Sequence, residues 1–163
     1  MALNLITFGD SLKNLIEKNN TTTSSYNISA GLNEKVKQVV RGYHEIKPIL
    51  NINFPSVFVE LNNKQEEFAQ LGRTDRRNIS LNYNIVGVTD YGLGQPDGRE
   101  ASDDEMIRLS SNLESLFRTF PKLSNTTQVL QALVSNVNYD VSESNDTYNS
   151  IVEITLTIDL YSN

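Results

Sequence analysis

The sequence predicts an α+β fold in which an antiparallel or mixed four-stranded sheet packs on two to three helices within one domain, residues 1–163. Residues 78–88 and 150–161 alternate apolar and polar side chains, as half-buried antiparallel strands do. Between them, residues 103–118 repeat apolar side chains at the spacing of an amphipathic helix. A chain of this length buries roughly 70% of its unfolded surface, so it can form its own core.

The first elements are predicted from capping and turn residues. Asp10 or Ser11 is expected to cap a helix that ends at Asn19. The polar residues 21–30 predict a loop or linker. The apolar stripe of this first helix consists of Leu12, Leu15 and Ile16.

A second helix is predicted over residues 32–40, with Gly42 as its terminator. Its inward residues are expected to be Val36, Val39 and Val40. A proline-led strand follows over residues 54–61, and its alternation predicts one face made of Val57, Val59 and Leu61.

A polar connection, residues 62–77, is predicted to lead into the strand at 78–88. After Ile85 the apolar positions shift to Val86 and Val88, which predicts either a bulge or a strand covered on both faces. Before that shift, the buried face is expected to consist of Ile79, Leu81, Tyr83 and Ile85.

Glycine and proline at residues 89–101 predict a long loop. Ser102 and Glu105 are interpreted as a capping box that begins the helix at 103–118, and Pro121 follows the end of that helix. The buried stripe of this helix is predicted to be Met106, Leu109, Leu113, Leu116 and Phe117.

Residues 126–141 fit both helical and strand spacing, and we expect a short helical turn followed by a strand from about Val137. The strand at 150–161 is predicted without ambiguity. Its inward side chains are Val152, Ile154, Leu156, Ile158 and Leu160.

Composition excludes several classes of function. No stretch approaches the roughly 20 apolar residues of a membrane-spanning helix, and the first residues lack the pattern of a signal peptide. The absence of cysteine excludes disulfides and thiolate metal sites, and it fits folding in a reducing compartment. Twenty acidic against fourteen basic residues give a net charge of -6, which disfavours bulk nucleic acid binding.

One tetrapeptide, Gly9-Asp10-Ser11-Leu12, resembles the first motif of the GDSL-type esterases and lipases, in which the serine is the nucleophile. Such a serine needs a histidine base within hydrogen-bond reach. The Asp-x-x-His block of that family is not matched, because Arg41 stands where the aspartate would precede His44, the single histidine. Helix capping is therefore expected, and an esterase is the alternative of a different class.

Two other motifs are also expected to be structural. Asp103, Asp104 and Glu105 are adjacent at a helix start, where their side chains diverge too far to enclose a cation. Residues 92–98 lack the Gly-Lys-Ser/Thr ending of a phosphate-binding loop. We predict no catalytic residue, no cofactor and no metal.

The candidate functional residues are surface residues that could contact another protein. The arginines just before the strand at 78–88 are either a solvated hairpin shoulder or a contact to an acidic neighbouring subunit, and the sequence leaves both open. A small-ligand site on the sheet face is a further alternative. The candidate interface residues are Arg73, Arg76, Arg77, Tyr91, Leu93, Gln95, Asp97 and Arg99.

The order of these elements resembles that of the tail terminator, or tail completion, proteins of long-tailed bacteriophages. The resemblance covers roughly residues 32–161 and lies in the succession of elements. The elements are, in order, an N-terminal helical segment, the Phe-Pro-Ser-Val-Phe-Val-Glu strand from Phe54, the loop with Arg73, Arg76 and Arg77, the strand that ends Ile85-Val86-Gly87-Val88, the glycine-rich loop, the Glu-x-Met-x-x-Leu helix with Met106 and Leu109, and the final alternating strand.

This resemblance implies a structural protein without catalysis. Such proteins form a ring, usually hexameric, that caps the tail tube and provides the interface for joining the head. The implied partners are other copies of the chain, the tail tube protein and a head-closure or connector protein. DNA passes through the pore without specific binding, and no membrane is involved. The implied location is the tail or neck of the virion, assembled in the host bacterial cytoplasm. Another head-tail connector or neck subunit is the alternative within this class.

Overall fold

A computed structural model describes residues 4–42, 54–68, 77–92, 98–123, 129–144 and 147–162, and the α+β class that the sequence predicts is confirmed. The described residues form two helices, α1 (Leu5–Lys18) and α2 (Gly98–Thr119). They also form five strands: β1 (Gln38–Arg41), β2 (Ser56–Phe68), β3 (Arg77–Gly92), β4 (Val129–Ser144) and β5 (Thr147–Ser162).

The five strands form one mixed sheet in the order β1-β2-β3-β5-β4. β1 runs parallel to β2, and every other neighbouring pair is antiparallel. β5 pairs with β3 on one side and with β4 on the other, so the chain's last strand is central. The sequence predicted four strands and missed β1.

The helix predicted over residues 32–40 is wrong, because residues 32–37 are not helical and the last three residues belong to β1. The N–H of Lys37 donates to the Pro55 carbonyl at 2.9 Å, which places the following residues beside β2. Val36 and Val39 are buried as expected, but on extended backbone. Adjacent β-branched residues such as Val39 and Val40 favour a pleated strand when a neighbouring strand can pair with them.

α1 begins earlier than predicted. Its N-cap is Asn4, whose side-chain oxygen accepts hydrogen bonds from two first-turn amides at 3.2 and 3.4 Å. Asp10 and Ser11 lie inside the helix, so their prediction as caps is wrong. Phe8 lies one turn before the predicted apolar stripe and is buried with it, which extends the stripe toward the N-terminus. The predicted end at Asn19 is confirmed.

α2 also begins before its predicted start, within the loop predicted at 89–101, and β3 extends into that loop from the other side. Ser102 and Glu105 form no capping box. Ser102 is buried inside the helix, and the Glu105 carboxylate accepts a hydrogen bond from the Asn33 N–H at 2.5 Å. The predicted buried stripe of α2 is confirmed at all five positions.

β2 continues to Phe68 through residues that the sequence predicted as a polar connection. The pairing with β3 shifts register between Leu61 and Asn63, so Asn62 is a bulge. Beyond the bulge, Lys64 and Glu66 form an ion pair. These charged residues suggested a loop, but their pairing with β3 holds them in the sheet.

β4 spans the segment predicted as a helical turn followed by a strand from Val137, so the helical turn is wrong. Its register against β5 shifts at Leu130 and again at Ser135. Each bulge adds one residue between consecutive core-facing positions, which lengthens the spacing from two to three. Two such steps imitate a helical period in the sequence.

The two faces of the sheet differ. α1 and α2 cover one face, where the predicted inward residues of β3 and β5 are all buried. On the other face, Phe58, Val86 and Val88 form a second buried cluster. β3 pairs with β5 in unbroken register through this region. The apolar shift after Ile85 therefore reflects coverage of both faces and involves no bulge in β3.

The loop between α1 and β1 is attached to α2. The Asn112 side-chain amide donates to the carbonyls of Ile28 and Ala30 at 3.0 and 2.9 Å. The Arg108 guanidinium donates to the Gly31 carbonyl at 2.7 Å. Ile28 is itself fully buried. The polar residues predicted as a loop or linker therefore form a loop that packs on the core.

Gly87 allows α2 to approach the sheet closely, and we expect Gly87→Ala to destabilise the fold. A methyl group there would lie 2.9 Å from Leu109 Cδ2 and 3.0 Å from Val152 Cγ1. Overpacking of this kind costs about 1–3 kcal/mol of unfolding free energy, measurable by denaturant titration. The exposed Asn78→Ala on the same strand serves as the control and is expected to stay within about 0.5 kcal/mol. Equal stability of the two variants would contradict this role for Gly87.

Candidate assembly interface

Exposed apolar side chains cluster where the first turns of α2 meet strand β4. Ile107 is 54% exposed, Tyr139 56% and Val141 46%. They border a depression of about 510 Å³ together with Met106 and Ile151. We call the exposed surface formed by Ile107, Tyr139 and Val141 the edge patch, and Asp103 lies beside it.

The helical period places Ile107 in this patch. Met106 and Leu109 point into the core, whereas Ile107 is rotated by roughly 100° from Met106 and faces outward. Tyr139 and Val141 continue the core-facing alternation of β4 beyond the area that α2 covers. A large apolar side chain exposed alone is ordinary, but a contiguous group marks a contact surface.

A chain of buried hydroxyl groups holds the start of α2 against the sheet. The Ser102 hydroxyl lies 3.2 Å from the Thr89 hydroxyl and 2.8 Å from the Ser150 hydroxyl, and all three residues are buried. Ser150 also donates to a carboxylate oxygen of Asp103 at 2.9 Å. Because these buried polar groups satisfy one another, they fix the helix beside β5 and thereby position Ile107.

Hydrogen bonds also orient the other side chains of the edge patch. The Tyr139 hydroxyl lies 3.0 Å from the Ser110 hydroxyl, which keeps the phenol ring beside α2. The Asp140 carboxylate accepts a hydrogen bond from the Val141 N–H at 2.7 Å, and its pairing with Ile151 places it on the opposite face of β4 from Tyr139 and Val141.

The two edges of the sheet differ in protection. In the described part of the chain, β4 has a strand neighbour only on the β5 side, and its sequence contains no lysine, arginine or proline. The opposite edge is formed by the short β1 and by the charged end of β2. Charged and short edges discourage pairing with other chains, whereas β4 relies on its two bulges.

The structure separates the predicted interface residues into groups. Arg77 and Tyr91 lie at opposite ends of β3, where their backbones pair with Ser162 and Tyr148. Arg99 is exposed in the first turn of α2. The remaining predicted positions fall outside the described residues, and their interface role stays a prediction: Arg73, Arg76, Leu93, Gln95 and Asp97.

Sequence analysis missed the apolar members of the edge patch. Ile107 was visible as an apolar residue outside the buried stripe of its helix. Tyr139 and Val141 were assigned to a strand, but their exposure depends on where α2 begins, which the sequence misplaced. The useful signal would have been an apolar residue with no place on a buried face.

The Gly9-Asp10-Ser11-Leu12 motif lies within α1. The Ser11 hydroxyl donates to the Thr7 carbonyl at 2.8 Å, and Asp10 forms an ion pair with Arg41 at 2.7 Å. A side chain at Gly9 would come within 2.9 Å of Arg41 Nε, so the glycine makes room for this arginine. These contacts give the motif a structural role in joining α1 to β1. His44 lies outside the described residues.

Among the described residues, no group of three or more His, Asp or Glu side chains is arranged to hold a metal ion. Neither described helix combines the length and the apolar character that crossing a bilayer requires.

Burial raises the pKa of Tyr83, whose hydroxyl donates to the Leu5 carbonyl at 3.1 Å and so anchors the start of α1.

No protein-family model matches this sequence, and no curated protein matches it. Among solved structures, the chain is similar to one chain of a structure described as the virion of a native gene transfer agent (GTA) particle. The two chains are 9% identical, the match covers 90% of this chain and 92% of that chain, and the TM-score is 0.44. Similarity at this level does not assign a function.

Proposed function

We propose that this chain is a structural virion protein of a long-tailed bacteriophage, specifically a tail terminator that forms a ring on the end of the tail tube. The observation that carries the proposal is the edge patch beside the outer edge of β4, where the described residues provide no further strand. An apolar surface next to such a sheet edge suits contact with another protein. The order of strands and helices on which the resemblance rests also supports it.

A ring requires a head-to-tail contact in which two different surfaces of each copy meet. The edge patch offers one such surface at one edge of the sheet, and the charged opposite edge offers a chemically different one. Six copies with a net charge of -6 would carry -36 in total. Acidic groups around the pore would let DNA pass without adhering to it.

The esterase alternative is disfavoured by the contacts of its motif. Ser11 gives its hydroxyl proton to a carbonyl of its own helix, and Asp10 is paired with Arg41. Both side chains therefore make contacts that hold α1 in place, and neither is arranged as part of a catalytic pair within the described part of the chain. Hydrolysis of p-nitrophenyl acetate that is lost in Ser11→Ala would revive the enzyme interpretation.

Purified protein mixed with tail tubes that lack a terminator tests the proposed function. We expect rings in negative-stain images, with a mass of about 110 kDa for six copies of 18.3 kDa. We also expect tubes of uniform length, capped at one end. Overlong, uncapped tubes in the presence of folded protein would contradict the terminator role. Binding to head or neck particles instead would favour another connector subunit.

A further inference from the structure

A second apolar surface lies at the other edge of the sheet, where the start of α1 meets β2. Ile6 is 61% exposed and Leu61 is 36% exposed, and both line a depression of about 330 Å³. Arg41 and the buried Tyr83 line the same depression. We call this surface the β2 groove: Ile6, Arg41, Leu61 and Tyr83.

The β2 groove exists because β1 is shorter than β2. β1 pairs with β2 only as far as Val59, whose carbonyl also accepts a hydrogen bond from the Gly42 N–H at 3.1 Å. β2 continues beyond this point, and among the described residues its one strand neighbour there is β3. Exposed apolar side chains therefore lie beside a sheet edge here, as they do at β4.

The edge patch and the β2 groove lie on the same face of the sheet. Ile107 and Ile6 belong to α2 and α1, the two helices that cover this face. β3 and β5 separate β2 from β4, so the two surfaces are about 14 Å apart across the sheet. Because contacting side chains approach within about 4.5 Å, the two surfaces of one copy do not touch. When two copies lie side by side with their sheets aligned, the edge patch of one faces the β2 groove of the other.

The charged side chains beside the two surfaces suit this arrangement. Asp103 and Asp104 are exposed next to the edge patch. At the β2 groove, Arg41 donates to Asp10 at 2.7 Å through one nitrogen, and a guanidinium with five N–H groups can bind a second carboxylate as well. Glu60 also lines the groove, but it is buried and has a partner. An aspartate brought by another copy therefore finds a basic group in the groove.

We propose that the edge patch of one copy docks in the β2 groove of a second copy, with Ile107 against Ile6 and Leu61 and with Asp103 near Arg41. Removal of these exposed apolar side chains from water favours the contact. The two surfaces differ, so the contact is heterologous and repeats from copy to copy. The inference rests on the proposed function only for closure into a ring, because association through these surfaces can be measured without any phage component.

Serine substitutions on both surfaces test the contact. We expect Ile6→Ser and Ile107→Ser each to weaken association by roughly tenfold or more in sedimentation velocity, because each removes one buried apolar side chain from the contact. Leu133→Ser is the matched control. Leu133 is 50% exposed, but its pairing with Thr157 places it on the face of β4 away from the helices, so this variant is expected to associate like the native protein. Thermal unfolding of all three variants detects any loss of folding.

Cross-linking tests which surfaces meet and leaves the apolar side chains in place. The sequence contains no cysteine, so an introduced cysteine reacts without background. Thr7→Cys places a thiol beside Ile6, and Asp104→Cys places one a helical turn from Ile107; both positions are exposed. With a short bismaleimide, we expect a cross-linked dimer from an equimolar mixture of the two variants and none from either variant alone. Adding Ile107→Ser to the Asp104→Cys variant is expected to remove the product.

Four results would overturn the inference: a native protein that is monomeric at every concentration, unchanged association of Ile6→Ser or Ile107→Ser, a mixture that yields no cross-linked dimer, or cross-linking of Asp104→Cys to itself. The last result would indicate a two-fold contact between two edge patches. Failure of the proposed function is a different result, namely oligomers that cross-link as expected but do not cap tail tubes.

Discussion

Ile154→Asp is expected to leave the protein largely unfolded at room temperature. Ile154 is fully buried in the central strand β5, opposite Ile85 on β3 and Val137 on β4. The aspartate side chain there would be surrounded by apolar side chains, so it would have to be protonated or to bring water into the core. With the loss of the isoleucine contacts, the penalty exceeds about 4 kcal/mol, a large share of the stability of a typical domain.

Two control variants separate the buried charge from other effects of substitution. Ile154→Val removes one methylene group and is expected to cost about 0.5–1.5 kcal/mol. Asn136→Asp introduces the same carboxylate at an exposed position of β4 and is expected to cost less than about 0.5 kcal/mol. Circular dichroism during urea titration measures all three. A cooperative transition of native midpoint in Ile154→Asp would refute the placement of this side chain in the core.

Much of the core could be predicted from the sequence because its periodicity is simple. β5 alternates without interruption, and α2 repeats its apolar residues at helical spacing, so their buried positions follow from period alone. Leu113 and Ile154 were both assigned correctly on this basis. Neither assignment needed knowledge of the neighbouring elements.

The errors arose where tertiary pairing overrides local pattern. β1 has only four residues and exists because β2 lies beside it in parallel. The charged residues of β2 after Asn62 resemble a loop, yet β3 pairs with them. The bulges of β4 lengthen its period toward that of a helix. None of these partners can be identified from a local window of sequence.

The candidate site was predicted less well than the fold. Arginine clusters and glycine-rich loops can be recognised in a sequence, but the two predicted interface residues on β3, Arg77 and Tyr91, lie at opposite ends of that strand. The edge patch depends on the separation between α2 and the end of β4, which is a tertiary property. Ile107 becomes significant only when the structure shows Tyr139 and Val141 beside it.

Leu113→Ala and Ile107→Ala are expected to separate stability from assembly on a single helix. Leu113 is fully buried at the centre of the α2 stripe, so truncation leaves a cavity and costs about 2–5 kcal/mol. Ile107 is half exposed, and its truncation is expected to change the unfolding free energy by less than about 0.5 kcal/mol.

Association should respond in the reverse order. Folded Leu113→Ala protein is expected to associate like the native chain, because its edge patch is intact, whereas Ile107→Ala is expected to associate more weakly. Denaturant titration and sedimentation velocity measure the two properties on the same samples. If Ile107→Ala lost several kcal/mol of stability, the residue would belong to the core, and the edge patch would lose its central contact. If both variants associated normally, contact between copies would have to lie elsewhere on the surface.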